Sequence, residues 1–300
     1  KQMEEVRRLK AMGDANGVRC EVCDREGILA VEPDMGEGVI GGLWVPDSAM
    51  VCPYSLVFAL AENAAINGVE FKTSAEVIGI HREGEHWIVT TKEDAVAARY
   101  IFNCAGTHAD RMNNMVSKDR FHILPREGQH LILDREFAPF VKTTIYQPPE
   151  ELPGGGHTKG MGLMPSVDGT IILGCNADDT EDRDFSDTTR EGIEKIIAFF
   201  EEKWKYLPIS RHVPRFPGES VITAYGGSRA HPDRDDFILG EPADAPGFIN
   251  LAGIESPGVT AAPAIAAAMV SLLVEREKPE KKKDYQPGRR IKKPFRLWRN

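Results

Sequence analysis

The sequence predicts an α/β protein with an α+β portion, on three observations. Helical and extended patterns alternate over residues 53–110 and again from residue 236 onward. Between them, residues 121–225 read as strands broken by proline and glycine around one strong helix, the pattern of a sheet with a helix laid on it. Third, 300 residues with 41% apolar and 28% charged side chains can bury a sizeable core in two intertwined lobes. That composition excludes disorder, collagen-like repeats and a small disulfide scaffold.

Taken in order, residues 1–17 are charged and helical rather than a basic stub followed by an apolar block, so no signal peptide is read there. The chain does not open with Met, and residues 4–12 read as the end of an amphipathic helix, so a fragment is expected. Pro53 opens a helix whose Leu56, Ala59, Leu60 and Ala64 share one face, and Gly68 stops it. Strands follow at 76–81, at 86–91 across the Glu83-Gly84-Glu85 turn, and at 99–103, a small antiparallel excursion returning to a buried strand. The helix of the middle segment is expected to be capped by Ser186 or Asp187, with Ile193, Ile196, Ile197, Phe200 and Trp204 on one face before Leu207-Pro208 ends it. Residues 148–160, with Gly154, Gly155 and Gly156, form a Gly-rich loop, either a lid over the sheet or a plain connection. Strands at 237–240 and 248–252 lead to an alanine-rich run at 256–274. That run has the length of a membrane span, but Pro257, Pro263 and its alanines read as a buried core helix instead.

The net charge of −9 is uneven. Residues 275–300 hold eleven Lys/Arg and four Asp/Glu, a net +7 that leaves −16 on the rest. An acidic body with a short basic tail is not a nucleic-acid binder, and membrane association is at most peripheral. Five scattered cysteines argue for a reducing compartment, so the expected location is cytoplasmic.

The most tempting motif is false. Residues 36–41 spell G-x-G-x-x-G, but a nucleotide-binding turn needs a strand before it and a helix after it. Glu32-Pro33-Asp34 precedes and Gly42-Leu43-Trp44-Val45-Pro46 follows, so a turn leading into a strand is expected. Cys20-Glu21-Val22-Cys23 has too few ligands for a metal and reads as two ordinary thiols. The strand 100–104 runs into Ala105-Gly106, where small residues either admit a ligand's phosphates to the backbone or serve packing. At 253–260 a buried strand ends at Gly253, Ser256 can cap and Pro257 can take the first helical position. The free amides of that helix start would face negative charge, or simply be a cap. Arg229, after Gly226-Gly227-Ser228, is either a fork for a carboxylate or phosphate, or a salt bridge to Asp235 or Asp236.

These blocks, in this order, resemble a family. Glu32-Pro33, Asn103-Cys104-Ala105-Gly106-Thr107-His108-Ala109-Asp110, Pro125-Arg126-Glu127-Gly128-Gln129, residues 165–169 with Gly174, Gly227-Ser228-Arg229, Asp236-Phe237-Ile238 and residues 253–260 are similar to the FAD-dependent oxidoreductases of the D-amino-acid oxidase-like superfamily. Within it the wording resembles glycerol-3-phosphate dehydrogenases of the anaerobic type and L-2-hydroxyglutarate oxidases. The resemblance covers roughly residues 20–275. It implies an incomplete Rossmann-like FAD-binding domain with an inserted mixed or antiparallel β-sheet substrate domain. Residues 1–110 and 231–275 would belong to the former, 111–230 to the latter, and 276–300 to a basic tail. The family's opening strand, glycine turn and helix are not found, so this stretch alone is expected to hold FAD poorly and to be inactive. Ala105 and Gly106 would line the FAD phosphates, Val77 the adenine, and Gly253, Ile254, Ser256, Pro257, Gly258, Val259 and Thr260 the flavin. Arg229 would hold the anionic end of the substrate, with Lys159 or His157 as a second donor and His130 or His231 as proton acceptor. Arg126-Glu127-Gly128-Gln129-His130 departs from the family's Arg-x-Gly-Glu-Tyr. The implied reaction moves a hydride from a small anionic hydroxy substrate, such as glycerol 3-phosphate or a 2-hydroxy acid, to FAD. An amino-acid or amine oxidase, or a non-catalytic truncated binding module, is the alternative. An electron-accepting protein or an iron–sulfur domain would be the redox partner.

Overall fold

The structure is a computed structural model, and it describes residues 2–149, 160–234 and 236–288. The chain runs α1 (Gln2–Ala15), β1 (Glu21–Asp24), α2 (Arg25–Val31), β2 (Gly41–Trp44), α3 (Pro53–Ile66), β3 (Val77–Glu83), β4 (His86–Thr91), β5 (Ala95–Ala98) and β6 (Ile101–Asn103). It continues through α4 (Ala109–Val116), β7 (Ile123–Leu133), β8 (Ile145–Tyr146), β9 (Gly162–Pro165), β10 (Ile171–Gly174) and β11 (Asp178–Asp179). Then come α5 (Arg190–Lys203), β12 (Val221–Pro232), β13 (Ile238–Gly240), β14 (Phe248–Ala252) and α6 (Gly258–Glu277). These elements fall into two compact units, Lys1–Met50 with Pro125–Arg229, and Val51–Leu124 with Ala230–Asn300. Helices, antiparallel sheets and one parallel strand pair together give the expected mixed α/β architecture.

In the first unit the sheet order is β11-β7-β10-β9-β8, with β12 also pairing β7. Antiparallel register sets Gly174 opposite His130 and Leu173 opposite Leu131. One face of this sheet carries Leu131, Leu133, Leu163, Ile171 and Leu173, on which α5 lays Ile196 and Phe200, with Trp204 just beyond its end, all buried. The 3.6-residue stripe read from the sequence is therefore the packed face. The cap differs from the expectation: Thr189, not Ser186 or Asp187, accepts the Gly192 amide at 3.0 Å. Thr189 holds that place because the buried Gln129 side chain of β7 accepts its own amide at 2.9 Å. The G-x-G-x-x-G segment is, as expected, a turn into a strand: β2 pairs antiparallel with β1. Gly36 is glycine for packing, since a Cβ there would meet the Lys205 carbonyl oxygen at 2.2 Å. Glu32 anchors the same segment, its buried carboxylate accepting from the amides of Lys142 and Thr143 and from Thr143 Oγ1.

In the second unit β3, β4 and β5 form an antiparallel meander, and β13, β14 and β6 a second small sheet. Strand β5 was not anticipated: the strand expected at 99–103 begins at Ile101, and a separate strand precedes it. The turn that makes this possible is closed by Thr91 Oγ1, which accepts from the Glu93 and Asp94 amides. Strands β6 and β14 run parallel, Asn103 beside Asn250. Helix α4 covers the face carrying Ile101 and Phe248, through Met112 and Val116.

Two helices bury little, and for the second this departs from expectation. Helix α3 has the expected limits but buries none of its residues. Helix α6, expected in the core, buries only Gly258 and Ile265. It is also, among the described residues, the one helix long and apolar enough to cross a membrane. An alanine-rich surface is buried only where another element covers it, and no described element covers most of this one. Its start differs too: Pro257 is the residue before the helix rather than its first residue, and its own side chain makes no capping bond. Proline has neither a side-chain oxygen nor an amide to offer there. The Gly258 amide instead bonds the Glu255 carbonyl at 2.6 Å.

Candidate functional site

Each unit contributes one set of candidate residues. In the second unit the chain leaves the carboxyl ends of two adjacent parallel strands. After β6, Cys104-Ala105-Gly106 turns into a short 3-10 helix and then α4, and Gly106 adopts φ +55°. A Cβ on Gly106 would meet no heavy atom within 4 Å, so this backbone is open to a ligand. After β14, Gly253 adopts φ +65° and passes so close to Pro232 that a Cβ would lie 2.7 Å from its ring. Ile254, Glu255, Ser256 and Pro257 then lead into α6, whose first amides, those of Val259 and Thr260 among them, have no carbonyl four residues back to bond. The loop is tied down by His231 Nδ1, 3.1 Å from Glu255 Oε1.

A buried amide ladder holds these two strand ends side by side. Asn103 Nδ2 donates to Asn250 Oδ1 and to the Ala109 carbonyl, both at 2.8 Å. Asn250 Nδ2 donates to Asn113 Oδ1 at 2.8 Å, and Asn113 Nδ2 to the Asp119 carbonyl at 2.9 Å. Ala105, Gly106 and the 253–260 turn are thus brought together on one edge. Val77 is not: it sits at the bulged start of β3 and packs against the core around Ile80 and Trp87. The donors and the open glycine backbone suit a phosphate-bearing, partly anionic cofactor such as FAD.

In the first unit Arg229 lies across β7 and the end of β10. Its Nη2 donates to the Asn176 carbonyl and to Cys175 Sγ, both at 2.8 Å. Gly128 makes the room, since a Cβ there would lie 2.3 Å from that nitrogen. Among the described residues no carboxylate pairs with Arg229. The Asp236 carboxylate accepts its neighbouring Phe237 amide instead, and Asp235 lies outside the described residues. A half-buried guanidinium without a carboxylate partner among the described residues matches an anionic ligand. The opposite result holds for Arg126, which is neutralised by Asp179 at 2.8 Å.

His130, on β7, stacks on Tyr225 of β12 with ring centroids 4.9 Å apart and 12° between planes. Its Nδ1 is buried and has no hydrogen-bond partner among the described residues. Burial first, and the Arg229 charge second, push its pKa down to about 4, so the ring is neutral at physiological pH and can accept a proton. Gln129 braces this strand: its amide donates to Asn176 Oδ1 at 2.6 Å and its Nε2 to Thr189 Oγ1 at 3.0 Å. Lys159 and His157 fall outside the described residues.

Sequence reasoning missed Asn113, Asn250, Cys175, Asn176 and Tyr225. Cys175-Asn176 directly after a strand-ending Gly174 was the one readable signal, since small and polar residues at a strand end commonly face a ligand.

Residues 1–272 match the family described as FAD dependent oxidoreductase (DAO). The chain is similar to a glycerol 3-phosphate dehydrogenase of Caloramator mitchellensis, 36% identical over 291 residues, which are 96% of this chain and 58% of that protein. It is similar also to an L-2-hydroxyglutarate dehydrogenase of Escherichia coli strain K12, at 27% identity over 90% of this chain and 70% of that protein. Among solved structures, dithionite-reduced L-alpha-glycerophosphate oxidase from Mycoplasma pneumoniae with FAD bound superimposes with a TM-score of 0.79 at 25% identity, over 95% of this chain and 72% of that one. The chain therefore spans little more than half the length of the first of these relatives.

Proposed function

Because this chain belongs to the DAO family of FAD-dependent oxidoreductases, we propose that it forms the larger part of a flavoenzyme oxidising a small anionic hydroxy compound of the glycerol 3-phosphate or 2-hydroxy acid class. The observation that carries the reading is Arg229, a cation with no carboxylate partner among the described residues, fixed by Asn176 and Cys175 beside the proton-accepting His130. The names of the similar dehydrogenases and oxidase support the substrate class.

FAD, when bound, supplies the two-electron acceptor that amino-acid side chains lack. Ala105 and Gly106 would admit its phosphates to open backbone. Gly253, Ile254, Ser256, Pro257, Gly258, Val259 and Thr260 would hold the flavin, the α6 amides stabilising negative charge by about 1 kcal/mol. Arg229 grips the substrate's carboxylate or phosphate through the guanidinium nitrogens that Asn176 and Cys175 leave free. His130 is assigned the hydroxyl proton; burial keeps the ring neutral and weakly basic, so the transfer has to accompany loss of the hydride rather than precede it. Lys159 is assigned a second contact to the anion. The free thiols support a reducing, cytoplasmic setting. Reoxidation is assigned to an electron-accepting protein or iron–sulfur domain.

The test is anaerobic titration of the FAD-loaded gene product with glycerol 3-phosphate and with L-2-hydroxyglutarate, followed by flavin absorbance. Bleaching by one of them, weakened at least tenfold in apparent affinity by Arg229→Ala, is expected. A flavin that neither compound bleaches removes this reading.

A further inference from the structure

In the first unit's sheet, Leu131, Leu133, Leu163, Ile171 and Leu173 pack under α5, so strand alternation turns His130, Gly162 and Gly174 to the opposite face. On that face the antiparallel registers set one row across four strands: His130 of β7, Gly174 of β10, Gly162 of β9 and Tyr146 of β8. The two inner places are glycine because the rings at the two ends lean over them. A Cβ on Gly174 would meet the His130 ring at 3.1 Å, and one on Gly162 would meet the Tyr146 ring at 2.5 Å. The next row along the same face is apolar, with Ile132 opposite Ile172 and Ile172 opposite Met164.

The row has a direction. Arg229 bonds Cys175 and Asn176, which follow Gly174 in the chain, and His130 lies opposite Gly174. A ligand with its anion on Arg229 and its hydroxyl carbon at His130 extends its remaining part along the row, toward Tyr146. There the Tyr146 hydroxyl is held by a weak acceptor: it donates to Met164 Sδ at 3.0 Å, and a thioether accepts far less strongly than an oxygen. The Tyr146 side chain is exposed, and a phenol stays protonated at neutral pH. An oxygen brought along the row would replace the sulfur as acceptor at little loss.

We propose that Tyr146 selects the tail of the substrate, the part beyond the carbon that His130 faces, by donating a hydrogen bond to an oxygen there. A neutral donor beside an apolar row suits a short uncharged tail, such as the hydroxymethyl group of glycerol 3-phosphate. The carboxylate arm of a 2-hydroxy diacid would instead lose hydration against Ile172 and Met164. The inference rests on the flavin reading above and narrows it to a polyol phosphate.

The experiment measures, by calorimetry on the FAD-loaded gene product, the binding of two ketones. One is dihydroxyacetone phosphate, which oxidation of glycerol 3-phosphate would give; the other is hydroxyacetone phosphate, in which a methyl group replaces the hydroxymethyl tail. The carbon that would face His130 is already oxidised in both, so binding is read without turnover. The parent is expected to bind the first about fivefold or more tightly than the second. Tyr146→Phe, which keeps the ring over Gly162, should bring the two within about twofold at unchanged Tm. A parent that binds both alike or binds neither, or a phenylalanine variant that keeps the parent's ratio, overturns the proposal. The anaerobic titration described above tells its failure from that of the flavin reading. Flavin bleached by L-2-hydroxyglutarate alone overturns the assignment of Tyr146 and leaves the flavin reading standing, whereas flavin bleached by neither compound overturns both.

Discussion

Asn103 and Asn250, 147 residues apart in the chain, meet side chain to side chain at 2.8 Å on neighbouring parallel strands. Each is 3% exposed, and Asn250 passes the chain of amides on to Asn113 at 2.8 Å. The two strand ends that carry Ala105-Gly106 and Gly253 are held together by this ladder.

Asn250→Ala strips one buried amide of its acceptor and another carbonyl of its donor. Buried polar groups left unmet cost about 1–3 kcal/mol each, so a loss of about 2–4 kcal/mol in urea unfolding is expected. The Asn103→Ala/Asn250→Ala pair should cost well under the sum of the two single changes, because the second removal orphans less. Additive losses would show that the ladder is not a unit.

His130 gives a pH signature. Its pKa in the folded protein is about 4, against about 6.5 when unfolded. Between these values the unfolded chain binds the proton and the folded chain does not. Stability therefore falls as pH drops from 6.5 toward 4, and this contribution is fully present above 6.5. At about 1.4 kcal/mol per pH unit the effect reaches at most about 3 kcal/mol. His130→Phe, which keeps a ring on Tyr225, should lose less stability than the parent between pH 7 and pH 4.5 in paired urea titrations. An identical pH dependence would mean that the imidazole is already protonated or solvated.

Much of the fold was legible where signals are local. Pro53 and Gly68 punctuate α3, and the apolar run at 248–252 was bounded to the residue. The α5 stripe was readable because helical periodicity needs no partner to be recognised. What the sequence hid depends on distant residues. Thr189 outcompetes Ser186 and Asp187 as a cap because Gln129, 60 residues away, holds its amide. Arg229 was singled out, but Cys175 and Asn176, which aim it, lie 54 and 53 residues away. The burial of α6 was misjudged because an apolar composition shows that a surface needs covering, not whether these residues cover it.

Gly128 offers a test of Arg229 that leaves its charge in place. A Cβ at 128 would lie 2.3 Å from Nη2 and 2.9 Å from Cζ, atoms at the far end of a flexible side chain, so the arginine swings aside and the sheet stays. Gly128→Ala should raise the KM for the anionic substrate about tenfold or more with little change in Tm or flavin content. That split indicates lost binding rather than a damaged fold. An unchanged KM would mean that the seat Arg229 occupies on Asn176 and Cys175 is not the one the substrate meets.

Gly106 and Gly253 both adopt left-handed backbone at strand ends, but only one is a clean probe of the cofactor. At Gly253 any side chain collides with Pro232 at 2.7 Å, so a substitution confounds folding with binding. At Gly106 a methyl group meets nothing within 4 Å, and Gly106→Ala should cost only the backbone strain of φ +55°, about 1 kcal/mol. Gly106→Val adds bulk in the space where phosphates would approach the chain. If that space is the cofactor's, flavin content in the assembled protein falls from Gly to Ala to Val more steeply than Tm does. Loss of Tm in step with flavin, or full flavin content in the valine variant, would place the phosphates elsewhere.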